Sequence, residues 1–171
     1  MPNIAEIRCA AAVVGLFLTA APACAFQNEP TGFRGIEWGM PFSAAPGVFF
    51  TAEQVGDRIS YRRSLENLTL NGIPLEYIWY NFYKGRFEEA VIVASRSHAP
   101  EMMQTFASRY GTPERREQRK DRFLWSGETA TIDLNCSGRY STCTAVIASN
   151  AMVAAEQAGQ AAAAPTADKD F

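Results

Sequence analysis

The chain contains a single histidine, His98, and this limits the chemistry that its side chains can support. A serine hydrolase would need His98 as its general base, and no Gly-x-Ser-x-Gly motif presents a nucleophilic serine. The catalytic alternative is an envelope hydrolase that combines His98 with carboxylates from Glu88, Glu89 or Asp133. Near the start of a surface helix, however, a histidine is more often a cap or a solvated residue than a catalyst. We therefore predict no catalytic residue.

Glu88 and Glu89 are adjacent acidic residues within a predicted strand. Because neighbouring strand residues point to opposite faces of a sheet, we do not expect these two carboxylates to form an acid and base pair. We expect one of them to be solvated and the other to lie laterally or to be paired. The sequence also lacks the glycine-rich motifs that bind phosphates, so it gives no support for nucleotide binding, and we predict no cofactor.

Two of the four cysteines, Cys136 and Cys143, would remain after removal of an N-terminal signal peptide. A metal site needs more ligands than two thiols and one histidine supply, so we predict no metal. An even number of cysteines in an exported chain favours a disulfide. The segments on either side alternate like strands, and pairing Cys136 with Cys143 places Leu134 opposite Ala145 on the same face.

The first 25 residues have the parts of an export signal. Arg8 lies in a short polar start, an apolar run covers residues 10–20, and an Ala-Cys-Ala site ends at Ala25. Cleavage there would leave Phe26 as the first mature residue. The apolar run is shorter than the roughly 20 residues that span a bilayer, and no later segment is long enough. We predict a periplasmic or secreted protein, with a lipid anchor on Cys24 as the alternative.

The 171-residue chain has 16 basic and 18 acidic residues and a formal net charge of −2. This balance does not predict nucleic acid or an anionic membrane surface as the main partner. The densest run of charge, residues 114–122, mixes both signs, and we interpret it as solvated surface. The alternative is a contact with an anionic envelope polymer or an acidic protein.

Residues 75–94 (LEYIWYNFYKGRFEEAVIVA) are two runs of aromatic and β-branched residues on either side of a Lys-Gly turn. This pattern predicts a hairpin, and pairing Tyr83 with Arg86 sets a register in which Trp79 faces Ala90. Both faces of the hairpin are mostly apolar away from the turn. We therefore expect it to lie at the centre of a sheet.

The aromatic residues of this hairpin are the strongest candidates for a binding surface. An exposed aromatic surface can stack on sugars or accept an apolar anchor from a protein partner. The residues that we predict to bind are Tyr77, Trp79 and Tyr83. The alternative, which the apolar character of both faces favours, is that these rings pack in the core.

Residues 97–111 (SHAPEMMQTFASRYG) are the one segment with a convincing helical pattern. The buried face predicted from its spacing consists of Met103, Phe106, Ala107 and Tyr110. Further strands over residues 123–125, 129–136 and 142–149 predict a meander. Residues 151–171 are alanine-rich with few large apolar side chains, and we predict a disordered tail there.

These elements predict a single α+β domain over residues 26–150, between a signal peptide at 1–25 and the tail. We expect a mainly antiparallel sheet of about five to seven strands, built from a hairpin and a meander, with one main helix packed on a face.

Residues 33–39 read FRGIEWG, a Pro-Gly pair follows at 46–47, and the predicted helix closes on Tyr-Gly-x-Pro at 110–113. In this order the motifs resemble those of small exported bacterial proteins with an F-x-G-I-x-W-G motif, most of them of unknown function. The resemblance covers residues 32–149. It implies a fold and supplies no catalytic residue.

Taken together, the sequence predicts an exported, non-catalytic periplasmic binding or accessory module whose partner is an unknown protein or envelope component. The alternatives are the envelope hydrolase using His98 and an inhibitor or immunity-type protein. The sequence leaves the oligomeric state open.

Overall fold

The computed structural model describes residues 26–115, 121–137 and 141–163. The predicted signal peptide, with its cleavage site at Ala25 and the alternative anchor Cys24, lies outside these residues, as does the end of the chain from 164 onward. In the described part, no helix combines the length and the apolar character needed to cross a membrane.

The described residues form twelve strands, two α-helices and two 3-10 turns. The strands are β1 (Gly32–Phe33), β2 (Ile36–Glu37), β3 (Phe49–Val55), β4 (Arg58–Arg63), β5 (Thr69–Leu70), β6 (Ile73–Pro74), β7 (Tyr77–Tyr83), β8 (Arg86–Ser95), β9 (Glu114–Arg115), β10 (Arg122–Ser126), β11 (Ala130–Asn135) and β12 (Thr142–Ser149). The helices are α1 (Ala99–Tyr110) and α2 (Asn150–Ala163), and the 3-10 turns cover Phe42–Ala44 and Arg96–His98.

Eight strands form one antiparallel sheet in the order β3-β4-β7-β8-β12-β11-β10-β9. The β7–β8 hairpin is central, and the β10–β12 meander joins it because β12 pairs with β8. This confirms an α+β fold with a mainly antiparallel sheet. The sheet is wider than expected because β3 and β9 extend its two edges, and there are two α-helices where the sequence predicts one main helix.

A β-bulge changes the register of the central hairpin. Tyr83 pairs with Arg86 as predicted, but Glu88 is an extra residue in β8 and shifts every later pair by one. Trp79 therefore lies opposite Val91, one residue further along β8 than the sequence pattern predicts. The error has a physical reason: strict alternation sets the predicted register, and a single unpaired residue breaks it.

The core lies on one face of the sheet, under α1 and the segment that precedes β3. The rings of Tyr80, Phe82 and Phe87 are at most 1% exposed, so these aromatic residues are core residues. In α1 the buried residues are Met102, Phe106 and Tyr110, while the predicted Met103 and Ala107 are only half-buried. The helix therefore presents its i, i+4, i+8 row to the sheet.

The FRGIEWG motif at 33–39 forms the β1–β2 hairpin. Its two turn residues, Arg34 and Gly35, have φ values of 47° and 83°, and a two-residue turn with two positive φ angles favours glycine. Trp38 then stacks on Phe87 of β8, with ring centroids 5.1 Å apart. The motif thus covers the part of the core around Phe87.

The segment immediately after the predicted cleavage site is packed against the domain. Phe26 is buried, and its ring meets that of Tyr110 edge-on at 5.8 Å. Oε1 of Glu29 accepts hydrogen bonds from the backbone amides of Thr129 (2.5 Å) and Ala130 (2.6 Å). Phe26 thus packs against α1, and Glu29 binds the start of β11 in the meander.

The alanine-rich segment forms α2 up to Ala163, where the sequence predicts disorder from residue 151 onward. Its large apolar side chains, Met152 and Val153, are only half-buried, and Glu156 is the buried residue of the helix. Glu156 forms an ion pair with Arg58 of β4. Composition does not reveal this helix because a polar contact, rather than a large apolar surface, holds it.

The predicted disulfide is confirmed: the Sγ atoms of Cys136 and Cys143 are 2.04 Å apart. The bond joins the ends of β11 and β12. Leu134 pairs with Ala145 in this hairpin, as the alternation predicts.

Candidate functional site

The face of the sheet opposite the core is covered by α2 at the turn end of the β7–β8 hairpin. There Glu156 contacts Arg58, and Gly159 lies against the hydroxyl of Tyr83. Farther along β7, Tyr77 and Trp79 point to this face because they alternate with the core residues of the strand. Both are half-buried, so part of each ring is accessible.

Tyr77 and Trp79 form a stacked pair with ring centroids 5.1 Å apart and an interplanar angle of 28°. The guanidinium of Arg62 lies 5.2 Å from the centre of the Tyr77 ring, within the range of a cation–π contact. Arg62, Tyr77 and Trp79 are therefore in contact one after another on the sheet surface. The indole of Trp79 becomes a wall of the two clefts described next.

One cleft, of about 440 Å³, lies between Trp79 and the polar side chains near α2. The other, of about 430 Å³, lies between Trp79 and Phe50 of β3. Glu53 lines both clefts, so they adjoin. We name them together the Trp79 groove, defined by Phe50, Glu53, Arg58, Arg62, Trp79 and Glu156.

The third predicted binding residue, Tyr83, lies elsewhere. It is 6% exposed, and the nearby helical backbone at Gly159 covers its hydroxyl. The structure thus brings Tyr77 and Trp79 together on an accessible surface and places Tyr83 under α2. A partner cannot contact Tyr83 while this helix is in place.

Three glutamates surround the guanidinium of Arg58 at the α2 end of the groove. Nη2 lies 3.0 Å from Oε2 of Glu88, and Nη1 lies 3.0 Å from Oε1 of Glu89. Nε donates to Glu156 at 3.1 Å, and Nη2 donates to the other oxygen of the same carboxylate. Nδ2 of Asn81 donates to Oε1 of Glu89 at 2.7 Å. We name these four charged residues the Arg58 cluster.

Glu88 is the most deeply placed member of the Arg58 cluster, with no exposed surface. Burial raises its pKa to about 7 against the lowering effect of Arg58, and the charges of Glu156 and Glu89 raise it further. The neighbouring Glu156 side chain thus favours the neutral form of Glu88. The cluster therefore gains or loses a proton near neutral pH.

The bulge explains how two consecutive glutamates reach one arginine. In a regular strand Glu88 and Glu89 would point to opposite faces, and the prediction that alternation separates them is wrong here because the strand is irregular at Glu88. Sequence reasoning missed Arg58 and Glu156 altogether. They lie 98 positions apart, and no local pattern relates them.

His98 lies away from the Arg58 cluster. It lines a cleft with Glu101 between α1 and the β5–β6 hairpin. Asp133 is engaged by Arg122, whose Nε donates to it at 2.8 Å. Within residues 26–115, 121–137 and 141–163, His98 forms no hydrogen bond or ion pair with Glu88, Glu89 or Asp133, and no group of His, Cys, Asp and Glu is arranged to hold a metal ion.

A larger cleft, of about 770 Å³, lies on the core side between α1 and residues 28–34. Nδ2 of Asn28 bridges its walls by donating to the carbonyl oxygen of Arg109 at 2.8 Å. The cleft reaches down to Ile92 and Ile147, which are 0% and 2% exposed, so packed side chains close its floor. It offers less accessible aromatic surface than the Trp79 groove.

Comparison with known proteins finds no match: no family model, no curated protein and no solved structure is similar to this chain. The resemblance to small exported proteins with an F-x-G-I-x-W-G motif stays a prediction. The function is therefore inferred from the geometry of the site.

Proposed function

We propose that this chain is an exported, non-catalytic binding module that contacts a protein or an envelope polymer through the Trp79 groove. One observation carries the proposal: the Tyr77–Trp79 stack stands half-exposed on a sheet whose other central aromatic residues are buried. Tryptophan and tyrosine are the side chains that most often dominate binding energy at interfaces. Their rings offer both apolar area and stacking to a partner.

The surroundings of the stack support binding rather than hydrolysis. The groove presents Glu53 and Arg62 beside the exposed ring of Phe50, which provides charged and apolar contacts side by side. The one histidine lies in a separate cleft, away from the glutamates of the Arg58 cluster. The Cys136–Cys143 disulfide supports an exported location, since such bonds persist in oxidising compartments.

The test is to substitute Trp79→Ala and Tyr77→Ala separately and to compare capture of a partner from periplasmic extract and from purified peptidoglycan. We expect each variant to lose the bound component that the parent chain retains. Leu65→Ala is the matched control, because Leu65 is fully exposed on a loop outside the groove. Capture of one enzyme or toxin at equal stoichiometry would identify the inhibitor or immunity-type alternative.

Circular dichroism and thermal unfolding of the same variants decide whether the loss is specific. If both variants unfold, the two rings serve only the fold and the proposal fails. If both stay folded and still capture the same component as the parent chain, the groove is not the binding surface.

A further inference from the structure

β3 is a long edge strand with exposed apolar side chains. It pairs with β4 on one side, and no strand of the described residues pairs with its other side. Phe50 is 53% exposed and Val55 is 67% exposed, and Val48 just before the strand is 72% exposed. Three of the five exposed large hydrophobic residues of the described chain thus lie in or next to this one strand.

A free strand edge presents a row of unpaired N–H and C=O groups, and proteins usually protect such edges with lysine, proline or a bulge. β3 contains neither lysine nor proline. Its protection consists of Glu53 and a bulge at Ala52, where the pairing with β4 shifts. An edge that combines exposed apolar residues with so little protection is suited to accept another strand.

The bulge also determines which side chains of β3 face the Trp79 groove. Phe50 lies opposite Arg62 and Val55 lies opposite Arg58, and both arginines line the groove. Because residues opposite each other in an antiparallel pair point to the same face, Phe50 and Val55 face the groove as well. The free edge and the groove therefore form one continuous surface.

We propose that the partner is a protein whose extended segment adds to β3 as an additional strand and places an apolar side chain in the cleft between Phe50 and Trp79. This inference rests on the proposed binding function and specifies its partner. Backbone hydrogen bonds to the edge supply affinity in this mode, and the pockets for alternate side chains supply specificity. A polysaccharide has no peptide backbone, so it lacks N–H and C=O groups at the spacing of about 3.4 Å per residue that pairing with the edge of β3 requires.

The same surface favours a separate segment over a second copy of this chain. Two copies of β3 paired in an antiparallel manner would bring their two bulges at Ala52 close together, and each bulge interrupts regular pairing. An extended segment of a partner can instead follow the irregular edge. Because Glu53 and Arg62 have opposite charges, neither a strongly acidic nor a strongly basic side chain is favoured in the cleft between them.

The test uses displayed random heptapeptides as the probe, selected on the purified chain. We expect enriched peptides to alternate apolar and polar residues. Each selected peptide is then synthesised in two forms, N-methylated at odd or at even positions, which removes the backbone donors of one edge or the other. One form should bind at least about tenfold more weakly, because several backbone hydrogen bonds are lost together, and the other should bind like the parent peptide.

Two protein variants complete the test. Phe50→Ser should weaken peptide binding, and Leu65→Ser, which removes an exposed apolar side chain outside the groove, should leave it unchanged. Equal binding of both methylated forms, or the absence of any enriched peptide, overturns strand addition. A dimer in sedimentation that Phe50→Ser dissociates also overturns it, because a second copy then occupies the edge. In each case loss of capture by Trp79→Ala would leave the proposed function standing.

Discussion

Arg58 stands where three parts of the chain meet: its own strand, the bulged strand β8 and the helix α2. Its side chain is 28% exposed, and it contacts Glu88, Glu89 and Glu156 at once. One positive charge does not balance three negative charges, and protonation of the most buried glutamate reduces this excess of negative charge from two to one.

At the residue scale we predict that Glu88→Gln removes a pH dependence of stability. The pKa of Glu88 is raised from 4.5 to about 7, so its contribution is fully present below pH 4.5 and is lost as the pH rises through 7. Glutamine is uncharged at every pH and so replaces the protonated form of Glu88 throughout the titration. Urea unfolding from pH 4 to pH 8 should show the parent losing up to about 3 kcal/mol relative to the variant.

Glu76→Gln is the control for this measurement, since Glu76 is exposed. It should reproduce the pH profile of the parent chain. Parallel profiles for Glu88→Gln and the parent would contradict the placement of a titrating proton on Glu88.

At the scale of elements, α2 illustrates how a helix with a weak apolar face is held. Glu156 anchors it to Arg58, and Gly159 allows its backbone to approach Tyr83. A Cβ atom at position 159 would lie 2.1 Å from the Tyr83 hydroxyl oxygen and 3.3 Å from the ring carbon Cζ. The absence of a side chain at Gly159 is therefore what lets the helix lie on the sheet.

We predict that Gly159→Ala destabilises the protein by about 1–3 kcal/mol, because the new methyl group collides with a rigid ring. In an exposed helix the same change stabilises by up to about 1 kcal/mol, so the sign is informative. Tyr83→Phe in the same chain removes the hydroxyl and should restore most of the loss. Thermal and urea unfolding measure both. Higher stability of Gly159→Ala alone would show that α2 does not pack at this point.

The β11–β12 hairpin is closed by a disulfide in addition to its strand pairing. Replacing both Cys136 and Cys143 with alanine should lower the free energy of unfolding by about 2–3 kcal/mol, because the short loop is no longer closed in the unfolded chain. Urea midpoints with and without dithiothreitol measure the effect. On reduction, the urea midpoint of the parent chain should fall to that of the variant. A midpoint that dithiothreitol leaves unchanged would contradict a stabilising role of the disulfide.

At the scale of the whole molecule, the first described residues connect α1 with the meander. We predict that Phe26→Ala lowers the free energy of unfolding by about 3 kcal/mol or more, because a buried ring leaves a cavity against Tyr110. The urea dependence should stay that of one cooperative transition. Gln27→Ala is the control, since the Gln27 side chain is exposed and only its backbone bonds to Tyr110. A loss below about 1 kcal/mol would mean that the segment is not part of the cooperative unit.

The sequence by itself determined the local elements of the protein. Alternation and a Lys-Gly turn predicted the central hairpin, and the face shared by Cys136 and Cys143 predicted their disulfide. The apolar repeat in 97–111 predicted α1, although the face it buries is turned by about one residue. These predictions succeed because each depends on residues that are close together in the chain.

Only the tertiary structure decided which surfaces of these elements are accessible to a partner and which charged side chains contact each other. The bulge at Glu88, the docking of α2 through Glu156 and the position of β3 at a free edge have no local signature in the sequence. Each depends on contacts between distant parts of the chain, such as that between Arg58 and Glu156. Burial there makes ion pairing and packing outweigh local propensity, and this is why the groove and its neighbouring proton site emerge only in the folded molecule.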